Sequence, residues 1–145
     1  MKLNLTEDRS LKEAVIDITY NMFDRRIQKI VDTINMGNVK LEGVLKDKQY
    51  YLVSHDVCYF ESVDGRSFIY TESDVYESKE KLYELEEKLK GTSFVKINKQ
   101  TLLNMDYLAS VAPMENYRLE ASLKNEEKLI ISRHYMREVK RYLNI

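Results

Sequence analysis

The side chains able to do covalent or metal chemistry are few in this sequence, and they are scattered. His55 and His134 lie far apart, and neither stands at metal-ligand spacing from a cysteine or an acid. His55-Asp56 falls in a polar break between strand-like runs and reads as a turn. The one cysteine, Cys58, is flanked by Val57, Tyr59 and Phe60, so it reads as a core side chain rather than a nucleophile, and it rules out an internal disulfide framework. There is no glycine-rich phosphate loop and no G-x-S-x-G elbow. The acid pairs Glu86-Glu87 and Glu126-Glu127 fall in a helix and a turn, where solvated charge explains them. This inventory points away from an enzyme and calls for no metal and no cofactor.

A different chemistry sits at the ends of strand-like runs. Asp64-Gly65-Arg66-Ser67 is a hairpin tip, and Asn98-Lys99-Gln100 interrupts the apolar stretch "FVKINKQTLLNM". Ser132-Arg133-His134 joins the last strand-like run to a helical one, which carries Arg137, Lys140 and Arg141. Each alone is ordinary surface. Together they supply the donors that nucleic acid accepts: Arg for guanine, Asn or Gln for adenine, Lys and Ser for phosphate. The net charge of −1 gives no global pull on a polyanion, but the charge is unevenly placed. Residues 71–90 hold seven Asp/Glu against four Lys, whereas residues 91–145 hold nine Lys/Arg against six Asp/Glu. A neutral chain can still bind nucleic acid through one basic face.

The elements that must carry these tips follow from periodicity. At 145 residues, 43% hydrophobic and 32% charged, the chain suits one domain, or one domain with an extension. Four glycines and one proline leave no room for a flexible linker. No apolar run approaches the roughly 20 residues that cross a bilayer, and "MKLNLTEDRS" lacks a signal peptide's apolar segment, so the expected compartment is the cytoplasm. "AVIDITY" (14–20) predicts a strand. Phe23, Ile27, Ile30, Val31 and Ile34 then recur at helical spacing, with Asn21 as cap and Gly37-Asn38 as stop. That stripe suits packing on its own sheet or a dimer contact. From Val39 the period becomes two. "VKLEGVL", "QYYLV", "DVCYFESV", "RSFIYTE" and "DVYES" read as strands, with Asp64-Gly65 as a type I′ turn. A helix through Leu82, Leu85 and Leu89 follows, capped by Ser78 and ended near Gly91. "SFVKI", "YRLEASL" and "EKLIIS" complete the strands, and "RHYMREVKRYL" forms a last helix with Tyr135, Val139 and Tyr142 or Leu143 inward. The expected fold is mainly β with three short helices.

The succession "YFESVDGRSFIYT", "VYESKEKLYELEEKL", "FVKINKQTLLNMDYL" and "YRLEASLKNEEKLIISRHYMREVKRYL" resembles the LytTR family of bacterial DNA-binding domains over about residues 40–145. The aromatic-Glu-Ser segment, the F-x-[KR]-I core and the ending I-S-R-x-Y carry the likeness. It implies an elongated, multi-stranded β fold that reads DNA with loops between strands, entering successive major grooves of direct-repeat promoter sites. By position it implies a first contact at Arg66-Ser67, a second on Lys99 within Asn98-Lys99-Gln100, and a third at Arg133. His134, Arg137 and the rest of the last helix stand in support. Some family members place His in the first loop and Asn in the second, where this chain has Ser67 and Lys99.

The resemblance further implies a stand-alone transcriptional regulator. The roughly forty residues ahead of the domain are too few for the receiver domain of many relatives. Residues 1–38 are expected as a strand–helix extension and residues 39–145 as the DNA-binding unit. The expected partners are double-stranded DNA, a second copy of the chain at least on DNA, and a membrane regulator protein encoded nearby. The rival reading is a small, non-catalytic dimeric protein-interaction module using the Phe23–Ile34 stripe or a sheet edge.

Overall fold

A computed structural model describes residues 1–37 and 39–145. After an N-terminal stretch without regular structure comes α1 (Arg25–Gly37). Five strands follow: β1 (Lys40–Leu45), β2 (Lys48–Val53), β3 (Val57–Val63), β4 (Arg66–Thr71) and β5 (Val75–Ser78). Next come α2 (Leu82–Lys88), β6 (Phe94–Asn98), β7 (Thr101–Asn104), β8 (Leu108–Met114), β9 (Arg118–Leu123), β10 (Lys128–Ile131) and α3 (Met136–Leu143). Seven strands form one sheet in the order β2-β1-β5-β4-β3-β7-β6, and β10-β9-β8 form a second. The chain is mainly β with three short α-helices, as the periodicity predicts.

Local chemistry accounts for the hairpins. Asp64 (φ 51°) and Gly65 (φ 76°) both adopt the left-handed conformation that a type I′ turn requires, so β3 and β4 keep their natural twist. Antiparallel pairing then runs from Val57↔Thr71 to Val63↔Arg66, with a bulge between Val57 and Tyr59. Two buried clusters hold the sheets together. One gathers Leu41, Phe60, Ile69, Tyr76 and Phe94 beneath Leu82 and Leu85 of α2 and Leu89 at its C-terminal end. The other joins Cys58, Tyr59, Ile97 and Met105 to Ala121, Leu123 and Ile131 of the small sheet, and to Val139 of α3. Strand β7 sends Leu102 into the first cluster and Leu103 into the second. Buried on both faces, it reads as an apolar run rather than an alternation.

Several expectations are corrected. Residues 14–20 form no strand, and Val15, Ile16 and Tyr20 are exposed. A β-branched run becomes a strand only beside a partner, and none is aligned with it here. The cap of α1 is Asp24, not Asn21: its Oδ1 accepts the backbone N–H of Arg26 (3.0 Å) and Ile27 (3.1 Å). Phe23 therefore precedes the helix and is exposed. Of the expected stop, Gly37 is the last helical residue and Asn38 lies outside the described residues. The cap of α2 is Lys81, three residues after the predicted Ser78. Ser78 Oγ accepts Glu80 N–H (3.1 Å), while Glu84 Oε1 reaches back to Lys81 N–H (3.4 Å).

Strand β8 is an addition to the expected set. Its Pro113 argues against a strand, yet β8 is the edge of the small sheet, where a missing N–H does no harm. Helix α1 packs through polar contacts, while Ile27, Ile30, Val31 and Ile34 of its apolar stripe are half-buried. Asp32, only 2% exposed, accepts from Gln28 Nε2 (2.7 Å) and Tyr142 Oη (2.8 Å), while Asn35 Nδ2 donates to Gly91 O (2.9 Å). No helix among the described residues is long and apolar enough to cross a membrane.

Candidate nucleic-acid interface

The register brings the three polar tips to one end of the molecule. Glu61 of β3 pairs with both Phe68 of β4 and Thr101 of β7, so the β3–β4 and β6–β7 turns leave the sheet on the same side. Ser62 N–H donates to Gln100 O (2.8 Å), fastening the second turn to the strand that leads into the first. The small sheet is tied in at the same place. Asn98 Nδ2 donates to Ile130 O (2.8 Å) and Ser132 N–H to Ile97 O (2.9 Å), so the Ser132-Arg133-His134 junction lies against the end of β6.

The second tip is tighter than a loop. Asn98 belongs to β6 and pairs with Thr101, leaving only Lys99-Gln100 to turn the chain. Asn98 Oδ1 accepts Gln100 N–H (2.9 Å), an Asx turn that neither Gly nor Pro is needed to make. Both ends of the Asn98 amide are thus engaged within the protein. Lys99 and Gln100 are exposed.

The third tip opens with a 3-10 turn, Arg133–Tyr135, leading directly into α3. Arg133, His134 and Arg137 are all exposed, and among the described residues Lys99, Arg133 and Arg137 have no ion-pair partner. Lys96 of β6 places its Nζ 5.9 Å from the centre of the Tyr135 ring, a cation–π contact that braces the junction.

The first tip holds a correction. Arg66 is exposed, but Ser67 is 2% exposed and its Oγ has no hydrogen-bond partner among the described residues. Ser67 stands two residues before Ile69, and both belong to the face covered by α2. Its side chain therefore has no access to a ligand from this tip. The alternation from Ile69 carried that signal in the sequence.

Three residues that the sequence left unremarked complete the tip. Arg66 Nε and Nη2 donate to Glu77 Oε1 (2.8 Å) and Oε2 (2.6 Å). The guanidinium holds the Glu77 carboxyl below the ordinary glutamate range. Arg66 also lies over the Phe68 ring, 5.5 Å from its centre, and Lys81 Nζ donates to Gly65 O (2.6 Å). Glu77 and Lys81 reach the tip by strand register, which only the assembled sheet reveals. Cys58, by contrast, is fully buried, and burial pushes its thiol up to about 11, as suits a packing residue.

The structure is thus a β body that groups the exposed Arg66, Lys99 and Arg133 at one end. The chain belongs to the LytTr DNA-binding domain family, whose model matches residues 47–144. Over its whole length it is 28% identical to an HTH-type transcriptional regulator of Staphylococcus aureus (strain NCTC 8325 / PS 47), covering 100% of this chain and 99% of that one. It is 31% identical over 100 residues to the sensory transduction protein LytT of Enterococcus faecalis, covering 68% of this chain and 41% of that protein. A solved LytTr DNA-binding domain from Bacillus cereus shares the fold. The TM-score is 0.70 at 20% identity, covering 75% of this chain and 100% of that domain. No two α-helices follow one another among the described elements, so the helix pair in the staphylococcal protein's name has no counterpart in this fold.

Proposed function

We propose that this chain is a sequence-specific transcriptional regulator that sets its three tips into the major groove of direct-repeat promoter sites. The observation that carries the reading is the grouping of Arg66, Lys99 and Arg133 on turns stitched together by Ser62–Gln100, Asn98–Ile130 and Ser132–Ile97. Arg133 is assigned the leading base or phosphate contact and Lys99 a second. Arg66 is assigned the first-tip contact, and Gln100, His134 and Arg137 supporting ones. Asn98 serves by shaping its turn, and Ser67 is left out because it is buried. The DNA-binding unit spans 39–145, with 1–38 as an extension.

A direct repeat takes two copies, so the chain acts as a homodimer at least on DNA, in the cytoplasm, under the control of a second protein such as a membrane regulator encoded nearby. The test is selection of a randomised double-stranded DNA pool by the purified full chain. Enrichment of duplexes sharing a repeated motif is the expected result, and a pool that stays random overturns the reading.

A further inference from the structure

We infer that Glu77 is a positioning residue that turns Arg66 into the base reader of the first tip; the inference rests on the DNA reading above. A guanidinium has five N–H donors. Glu77 occupies the Nε–Nη2 edge with two bonds of 2.8 and 2.6 Å. The Nη1–Nη2 edge remains open, and two parallel N–H groups on one edge are what guanine O6 and N7 accept side by side.

The register makes the arrangement local and fixed. Glu77 stands directly across from Phe68, and Arg66, two residues before Phe68 on β4, shares that face and is its diagonal neighbour. The Phe68 ring supports the guanidinium from one side. Lys81 tethers the turn through Gly65 O.

Electrostatics argues for the same role. A bare carboxylate at a DNA-facing tip would repel phosphate. Bound in both its oxygens by Arg66, Glu77 loses most of that penalty and restricts the arginine's rotamers in return. Lys99, Arg133 and Arg137 have no such clamp among the described residues, so they can follow the DNA backbone as it comes. The clamped arginine is the one committed to a direction before DNA arrives, and that suits base reading better than phosphate contact.

The test takes the duplex enriched by the wild-type chain, its set of single base-pair substitutions and a scrambled duplex. Arg66→Ala, Arg66→Lys and Glu77→Gln are each checked by melting curve first, and Arg66→Lys keeps the test open should Glu77→Gln fold poorly. The expected result is that all three lose discrimination at the same G·C pair by about tenfold. On the scrambled duplex Glu77→Gln should bind at least as tightly as wild type, having shed a negative charge. Glu77→Gln that keeps every base preference, or tightens specific binding, overturns the inference and makes Glu77 a restraint on Arg66. A selected duplex indifferent to Arg66 also overturns it while leaving the DNA reading intact. Failure of the wild type to select any duplex overturns both.

Discussion

Tyr142 of the last helix donates its phenolic hydrogen to Asp32 of the first at 2.8 Å, joining positions 110 residues apart. Asp32 is 2% exposed, so this bond offsets part of the cost of holding its polar side chain out of water. It fastens α1 to α3, and α3 begins at the Arg133 tip.

Removing that donor tests the dock. Tyr142→Phe leaves Asp32 with Gln28 alone and should cost about 1–3 kcal/mol of stability in urea unfolding. Burial first, and then the bond to Asp32, push Tyr142 above the ordinary tyrosine range. A raised folded-state value means the stabilisation is complete below pH 10.0, the unfolded value, and falls as pH rises beyond it. The alkaline decline in stability should therefore be shallower in Tyr142→Phe. Identical alkaline curves for the two proteins would refute the dock's contribution.

Arg133→Ala should weaken binding to the selected duplex at least about tenfold, close to 1.4 kcal/mol, in a gel-shift titration. The side chain is exposed and pairs with nothing among the described residues, so the melting temperature should not move. Unchanged affinity removes Arg133 from the interface.

Lys99→Ala addresses the phosphate contacts. Where Lys99 neutralises one phosphate, the slope of log affinity against log salt becomes shallower by about one unit. A slope equal to wild type moves Lys99 to a base or to solvent.

Ser67→Ala separates position from role. The buried hydroxyl lacks a partner among the described residues, so its loss should leave stability unchanged or raise it by up to about 1 kcal/mol, with DNA affinity unaltered. Weakened DNA binding at full stability would return Ser67 to the contact set.

The sequence and the structure agree best where the cause is local. The Asp64-Gly65 dipeptide specifies its own turn, and Leu82, Leu85 and Leu89 specify their own helix face. Agreement ends where a partner decides. Val15 and Ile16 favour a strand, but no neighbouring strand accepts them. Pro113 argues against one, yet the edge position of β8 tolerates it. Of the residues proposed for the interface, Arg133 and Lys99 are legible as charged residues in breaks between apolar runs. Glu77 and Lys81 are not, because their place at the first tip comes from pairing between strands rather than from spacing along the chain. The family resemblance implies a contact at Ser67, whereas the two-residue period from Ile69 turns it inward.

The turn at Lys99-Gln100 has a consequence for how such a protein can change its target. Its shape is set by Asn98 and by the bond between Ser62 and Gln100 O, neither of which uses the side chains at 99 and 100. Neither residue has a positive φ, so the backbone there admits almost any amino acid. Under the proposed mode of binding, mutation could therefore explore new operator preferences at these two positions with little risk to folding, and a duplicated copy could diverge to new promoters through them.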